Sequence, residues 1–475
     1  MNTFQKIKIK KRYRWIVIPL VIIVLLLAAG HEYFNRQEEV RHDALGKIRK
    51  RGQLIALTDK NSLGYFIYKG EPMGYQLELL QSFADYLGVS LKIICMDDVS
   101  RMYRYMDYEA ADLIALNIPE SYSGKMKAHF SKPLNETRFM LVQRKLYSSK
   151  EKKGLVRDLR DLSGDTVYIR KNFFVPYVLN TFFRKTSGVT LVEDPSHNPE
   201  ELARMVSEGK IRYTIVEENL AMVLMRAYPN LDAIFPVTSL LKYSWCVTHA
   251  SDSLLFEINK WMDQEKKEGD LKDIYLSYFD NPKIPEYFKN DYCTLKSKKL
   301  SPYDESIRKG SRMIWWDWRL LGSIVYEESN FHSGRVSSRN ARGLMQLMPQ
   351  TALKFGVDSG SSPTRQILAG IKYLRWLDTQ LPEEIKDPRQ RVFFTLAAYN
   401  VGLARVLTAR QKAVKYGQDP NKWDDNVSFY LTRKSRKDPY AVNDTLADTS
   451  PFGESGGFVD RIISRYYHYR NLLPQ

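Results

Sequence analysis

The chain has 475 residues, with 44% apolar and 27% charged residues and a formal net charge of +17. It is too long for one typical domain, and its apolar and charged contents are ordinary for globular protein. The charge favours an acidic surface or polymer as partner, although solubility alone would also explain it. The sequence contains no zinc-ligand spacing, RNA-binding motif or dense basic-aromatic tract, so we predict no nucleic-acid partner.

Residues 1–35 are predicted to be a signal or anchor segment. Six basic residues precede an apolar run from Trp15 to Gly30, which is the pattern of an export signal. The run is shorter than the ~20 residues of a full membrane span, although flanking aromatic residues could extend it. A cleaved signal and a retained anchor both fit. We favour a retained anchor in the membrane, with the N-terminus inside and the rest of the chain exported.

The next part of the chain alternates between strand and helix patterns. A helix is predicted after Gly74, with apolar positions Leu77, Leu80 and Phe83, and it is closed by Gly88. The alternation predicts an α/β architecture over residues 45–285. The predicted strands are 53–57, 91–95, 112–116, 139–142, 166–169 and 213–216.

Three short motifs in this region occur together and in order. They are Gly74-Tyr75, the run 111–115 and the run 130–134. On these motifs the region resembles periplasmic solute-binding domains of the amino-acid-binding type. The resemblance implies a bilobed domain whose two lobes close on a ligand.

The resemblance also indicates candidate ligand residues. Such domains usually carry an Arg for an α-carboxylate shortly before the Phe-Ser pair, but here Lys125 lies in that neighbourhood. The acidic residue for the ligand amine falls near Glu217 or Glu218. Because the bidentate Arg is missing, a free amino acid is a poor candidate ligand. A peptide or muropeptide ligand and a scaffold with a degenerate cleft remain alternatives.

Prolines and a polar run predict a linker over residues 286–297. The chain after it, residues 298–475, has helical periodicity throughout and predicts an all-α-dominated domain. The predicted helices are 306–329, 351–355, 365–381, 391–407 with a break near 400–402, and 458–473.

Glu328 is the most informative residue in this region. Ile314, Trp318, Leu321 and Val325 recur at steps of four and three, and Glu328 is the next position on that stripe. A carboxylate at the end of an apolar face is costly to bury as an anion, so its pKa should rise. A carboxylic acid that stays neutral near pH 7 is suited to general acid catalysis.

Four motifs in order surround this residue: Glu328-Ser329-x-Phe331, the run 343–346, the run 398–402, and Glu454-Ser455. Together they resemble lytic transglycosylases of the soluble type, within the lysozyme-like superfamily. The resemblance implies that the partner is the glycan strand of peptidoglycan, cut between N-acetylmuramic acid and N-acetylglucosamine. Glu328 would be the general acid and then the base for the muramyl C6 hydroxyl, which leaves a 1,6-anhydro end. No cofactor and no metal are implied.

The resemblance assigns supporting roles to further residues. Tyr399 would hold the Glu328 carboxylate from a helix break, beside Asn400, and Ser329 would orient it. Tyr466 or Tyr467 could supply a hydroxyl that the family often carries where Phe458 stands. Gly343 would permit a tight turn and close substrate approach, and the groove would be lined by Met345 and Gln346.

Two alternatives to a lytic transglycosylase stay open on the sequence. One is an envelope receptor whose lysozyme-like domain holds glycan without cutting it, and the other is a hydrolytic lysozyme.

The sequence also leaves open whether two of the three cysteines form a disulfide bond. Cys95 lies in an apolar strand and is predicted to be core, whereas Cys246 and Cys293 could pair in an oxidising compartment.

Overall fold

A computed structural model describes residues 43–59, 63–96, 99–119, 128–145, 154–171, 175–183, 188–249, 251–432 and 455–475. Residues 1–42, which hold the predicted signal or anchor segment, lie outside this set. Within the described ranges, no helix is long and apolar enough to cross a membrane.

The first lobe is built on a six-stranded sheet in the order β4-β1-β5-β13-β6, with β7 also paired to β13. Strand β1 runs parallel to β4, from Gln53 opposite Ser90 to Thr58 opposite Cys95. Its bounds are β1 Gln53–Thr58, β4 Ser90–Cys95, β5 Leu113–Pro119, β6 Ala128–Phe130, β7 Asn135–Thr137 and β13 Leu241–Thr248.

The second lobe is built on a five-stranded sheet in the order β10-β9-β11-β8-β12. The six strands predicted from sequence are all present in the two lobes, with ends that differ by up to three residues. The bounds here are β8 Phe139–Arg144, β9 Thr166–Arg170, β10 Thr190–Asp194, β11 Tyr213–Glu217 and β12 Leu231–Pro236.

Helices cover both sheets, and a short 3-10 turn spans Leu159–Leu162. The helix after Gly74 is confirmed, and Gly74 itself has φ 145°, where a Cβ would lie 2.2 Å from the Gly64 carbonyl oxygen. The bounds are α1 Ala44–Arg51, α2 Tyr75–Leu87, α3 Val99–Asp107, α4 Val175–Phe183, α5 Pro199–Ser207, α6 Glu218–Ala227, α7 Asp252–Glu268, α8 Asp270–Phe279 and α9 Ile284–Tyr287.

A two-stranded hairpin, β2 Phe66–Tyr68 and β3 Glu71–Met73, projects from the first lobe. The segment 286–297 packs against it, because Lys69 N–H donates to the Tyr292 carbonyl (2.7 Å) and Thr294 N–H donates to the Ile67 carbonyl (2.9 Å). The segment predicted as a linker is therefore held on the first lobe.

The three cysteines are free thiols. Cys246 and Cys293 are fully buried in different hydrophobic clusters, and burial raises the pKa of each thiol to about 12. The pairing that the sequence left open is therefore not formed. Cys95 packs at the edge of the main core and is partly buried.

The remaining chain is helical. The single helix predicted over 306–329 is wrong, because Trp315 adopts a left-handed conformation (φ 57°) and the Asp317 side chain accepts a hydrogen bond from Arg319 N–H to start a new helix. The predicted break near 400–402 is confirmed at Gly402. The bounds are α10 Asp304–Ile314, α11 Trp318–Ser329, α12 Pro349–Lys354, α13 Pro363–Gln380, α14 Pro388–Val401, α15 Leu403–Lys415, α16 Phe429–Thr432 and α17 Ser455–Leu472.

The hairpin also joins the helical domain to the first lobe. The Tyr469 hydroxyl of α17 donates to the Gly70 carbonyl at the hairpin tip (2.7 Å), and the Tyr326 hydroxyl of α11 donates to Glu71 (2.6 Å). Gly70 has φ 93°, and a Cβ there would lie 2.3 Å from the Tyr326 ring. The hairpin tip therefore fits closely against the helix that carries Glu328.

Candidate active site

Glu328 lies in the last turn of α11, where the helix ends at Asn330 in a left-handed conformation. Trp318, Leu321 and Val325 on the same stripe are buried, as predicted. Glu328 itself is partly exposed. Burial of the carboxyl, with a smaller contribution from the charge of Glu327, raises the pKa of Glu328 to about 8, and the Arg335 charge opposes this. The predicted rise in pKa is therefore confirmed.

Glu327 faces away from this site. Its carboxylate accepts hydrogen bonds from Arg461 (2.5 Å) and Arg465 (2.9 Å) of α17, and Arg465 also lies 3.5 Å from Glu71. Glu327 and Arg465 are only 13% and 14% exposed. Because two guanidinium groups hold Glu327, it is not available as a second carboxylate for Glu328.

The hydroxyls of Tyr399 and Ser329, which were expected to hold Glu328, instead bind backbone carbonyls. The Tyr399 hydroxyl donates to the Met345 carbonyl (2.5 Å), and the Ser329 hydroxyl lies 3.0 Å from the Val325 and Leu344 carbonyls. The Glu328 carboxyl makes no hydrogen bond with the residues that the structure describes. No hydrogen bond joins Tyr399 and Glu328 among the described residues, although the Glu328 charge, after burial, contributes to raising the pKa of Tyr399. Both hydroxyls hold the segment 343–346 beside the helix that carries Glu328.

The residues of the segment 343–346 make close contacts that fix its conformation. Gly343 has φ 75°, and a Cβ would lie 2.4 Å from the Gln366 oxygen, which accepts a hydrogen bond from Leu344 N–H. The tight turn at Gly343 is thus confirmed, but the close neighbour is Gln366. Met345 is 1% exposed and lies in the wall of a pocket beside this segment. Gln346 donates to the carbonyls of Arg335 and Gly343 and so braces the loop.

The remaining residues that were predicted to support Glu328 lie in different environments. Asn400 is exposed at the end of α14. Phe458 is 5% exposed and belongs to the core of α17. Tyr466 donates to Asp317 at the opposite end of α11, so it does not replace the missing hydroxyl, and Tyr467 is exposed. Glu454 lies outside the described residues.

The two lobes enclose a second candidate site, a cavity of about 130 Å³. Glu217 lines this cavity, as predicted, whereas Glu218 instead pairs with Arg138 (2.6 Å). Lys125 lies outside the described residues. An ion pair that no sequence pattern indicated joins Asp59 of the first lobe to Arg170 of the second (2.9 Å).

Glu200, also unpredicted, is a deeply buried carboxyl in the wall of this cavity. It is 2% exposed, one oxygen accepts from Leu63 N–H (3.2 Å), and the other has no hydrogen-bond partner among the described residues. Burial raises the pKa of Glu200 to about 8. A polar position near the start of α5 offers no sequence signal for such burial.

Sequence reasoning also missed Arg335 and Gln366 in the helical domain. Arg335 lies seven residues after Glu328, in a loop without periodicity. Gln366 lies on the exposed start of α13, and only the close approach of Gly343 reveals its role.

The fold and the site together define a bilobed α/β domain joined to a helical domain in which Glu328, a carboxyl of raised pKa, lies at a helix end. Residues 54–281 match the family of bacterial extracellular solute-binding proteins, family 3, and residues 305–422 match the transglycosylase SLT domain.

The chain is 30% identical over 465 residues to the membrane-bound lytic murein transglycosylase F of Pseudomonas fluorescens strain Pf-5, covering 97% of this chain and 91% of that protein. It is 28% identical over 455 residues to the protein of that name from Desulfosudis oleivorans, covering 94% and 96%. The chain therefore belongs to the membrane-bound lytic murein transglycosylase F family.

Proposed function

We propose that Glu328 carries both proton transfers of a lytic transglycosylase reaction on peptidoglycan. As a member of its family, the chain is a peptidoglycan lytic transglycosylase. The proposal adds that Glu328 is the residue that acts as acid and then as base. The observation that supports it is a partly exposed carboxyl with a pKa of about 8 at the end of a buried apolar stripe.

A neutral Glu328 can protonate the glycosidic oxygen as the bond to muramyl C1 breaks. The resulting carboxylate then accepts the proton of the muramyl C6 hydroxyl as that oxygen bonds to C1. The products are an N-acetylglucosamine hydroxyl and a 1,6-anhydro muramyl end, and Glu328 returns to its starting state. Ordinary glycosidases need a second carboxylate. Here the sugar supplies the nucleophile, which agrees with Glu327 being held by two arginines.

Mass spectrometry of digested sacculi tests this reaction. Anhydro ends are the expected product. Reducing ends would indicate a hydrolytic lysozyme, and no products from wild type would indicate a glycan-holding receptor. Glu328→Gln should abolish cleavage, whereas Glu383→Gln, at an exposed glutamate of the same domain, should not. Undiminished cleavage by Glu328→Gln would overturn the assignment.

We further propose that the interlobe cavity takes a small ligand with a cationic group, such as a peptide or muropeptide. Glu217 supports this as an acidic group in the cavity wall, and the Glu200 oxygen that has no partner among the described residues offers a hydrogen-bonding atom to such a ligand. A thermal-shift screen with amino acids and cell-wall peptides is the test. Absence of any shift would favour a scaffold with a degenerate cleft.

The proposal also covers where the protein lies in the cell and where its two domains begin and end. The family name implies attachment to a membrane of the cell envelope. We propose that residues 1–35 provide the attachment and that the chain faces the periplasm. We also propose residues 45–285 as the solute-binding unit and 298–475 as the catalytic unit.

A further inference from the structure

A pocket of about 310 Å³ opens beside the segment 343–349, between the loop 333–342 and helix α12. We call it the Arg342 pocket, and its lining includes Arg335, Val336, Arg342, Leu347, Leu353 and Val357. None of these residues carries a role in the proton transfers described above.

One part of the pocket wall is apolar although it faces solvent. Val336 is 56% exposed and Leu353 is 72% exposed, while Leu347 and Val357 are buried beneath them. Exposed aliphatic side chains that cluster around a concavity mark a binding surface more often than scattered ones do. The wall suits small apolar groups such as methyls.

The other part of the pocket wall is cationic. Arg335 and Arg342 are exposed, and neither guanidinium makes a hydrogen bond or ion pair within the described part of the chain. The acidic residue in the lining, Asp358, accepts hydrogen bonds from Gly360 and Ser361 in its own turn. Two arginines therefore remain available for carboxylates, which they bind with two parallel hydrogen bonds.

The pocket shares a wall with the catalytic site. Gly343 and Met345 line it, while the Leu344 and Met345 carbonyls bind the hydroxyls of Ser329 and Tyr399. The Arg335 charge also acts on Glu328. The segment 343–346 therefore contacts both the pocket and the helix that carries Glu328.

We infer that the Arg342 pocket binds the short peptide attached to the glycan strand, a ligand class of anionic peptides with small apolar side chains. This inference rests on the proposed function. In peptidoglycan, the muramyl residue at the scissile bond carries a peptide with alanine methyls and free carboxylates. The methyls match the apolar wall, and the carboxylates match the two arginines.

The test compares cleavage of glycan strands that carry peptides with cleavage of strands stripped of peptides by an amidase. Wild type should cut peptide-bearing strands with a KM lower by roughly tenfold, the value of one charge-assisted hydrogen bond. Arg342→Gln should remove that preference and leave the rate on stripped strands unchanged. The matched control is Arg375→Gln, at an exposed arginine of α13 outside the pocket.

Leu353→Asn tests the apolar wall independently and should also raise KM for peptide-bearing strands. Equal cleavage of both substrates by wild type, or a preference kept in both variants, would overturn the inference. Either result is distinct from failure of the proposed function, in which wild type forms anhydro ends from neither substrate.

Discussion

Glu328→Gln should stabilise the protein at neutral pH and abolish the cleavage that we propose Glu328 catalyses. The folded-state pKa of Glu328, about 8, lies above its ordinary value of 4.5. The folded protein therefore holds a proton that the unfolded chain releases, and the free energy of unfolding falls as pH rises between these values. The stability present at low pH is lost as pH approaches 8.

The magnitude follows from the size of the shift. Each pH unit in this window removes about 1.4 kcal/mol. Going from about pH 5 to about pH 7.5 therefore removes roughly 3 kcal/mol from wild type. Glu328→Gln is neutral at every pH and has the shape of the protonated acid, so it escapes this loss. For a domain of this size, the variant should unfold on the order of 10 °C above wild type at the higher pH.

Scanning calorimetry of the full chain at several pH values measures the effect. The informative quantity is the melting temperature of Glu328→Gln minus that of wild type, because other titrating groups cancel in it. This difference should be near zero at the lower pH and grow as pH rises. A difference that does not change with pH would refute the reasoning, since it would mean that the carboxyl ionises freely in its site.

Three further outcomes follow from the same geometry. Activity should fall as pH rises through about 8, where Glu328 loses its proton. Glu327→Gln should move that fall to lower pH, because removing the neighbouring anion lowers the pKa of Glu328. A pH-rate profile that does not move in this variant would contradict the reasoning. Gly70→Ala should lower the melting temperature, since its Cβ would meet the Tyr326 ring at a φ that favours glycine; an unchanged value would show that the hairpin yields freely. Ser329→Ala should cost about 1–3 kcal/mol in denaturant unfolding by leaving buried carbonyls without their donor; a cost near zero would contradict a fastening role.

Much of the first domain was predictable because strand and helix periods are local. The six predicted strands and the helix after Gly74 depend on side chains only two to four residues apart. The break between α10 and α11 was not predictable in this way. Ile314 and Trp318 keep the helical spacing across it, so the apolar stripe continues while the backbone turns at Trp315.

In the candidate site, too, local motifs were predictable and long-range contacts were not. Motif order identified Glu328, Gly343 and Tyr399, but it assigned Tyr399 a contact with the carboxyl that the structure gives to the Met345 carbonyl. Hydroxyl partners depend on how α14 approaches the segment 343–346. That approach involves residues 54 positions apart, and no local pattern records it.

Helical periodicity alone places Glu328 at the end of an apolar stripe and so predicts its raised pKa, because the period sets the side of a helix that each residue occupies. The two-part organisation also follows from motifs that are contiguous in the chain. The surroundings of the Glu328 carboxyl, in contrast, depend on how the folded chain packs. The arginines that hold Glu327 lie more than 130 residues away, and the hairpin tip against Tyr326 comes from the other domain. Charges and close contacts act through space, so their partners become known only when the chain is folded.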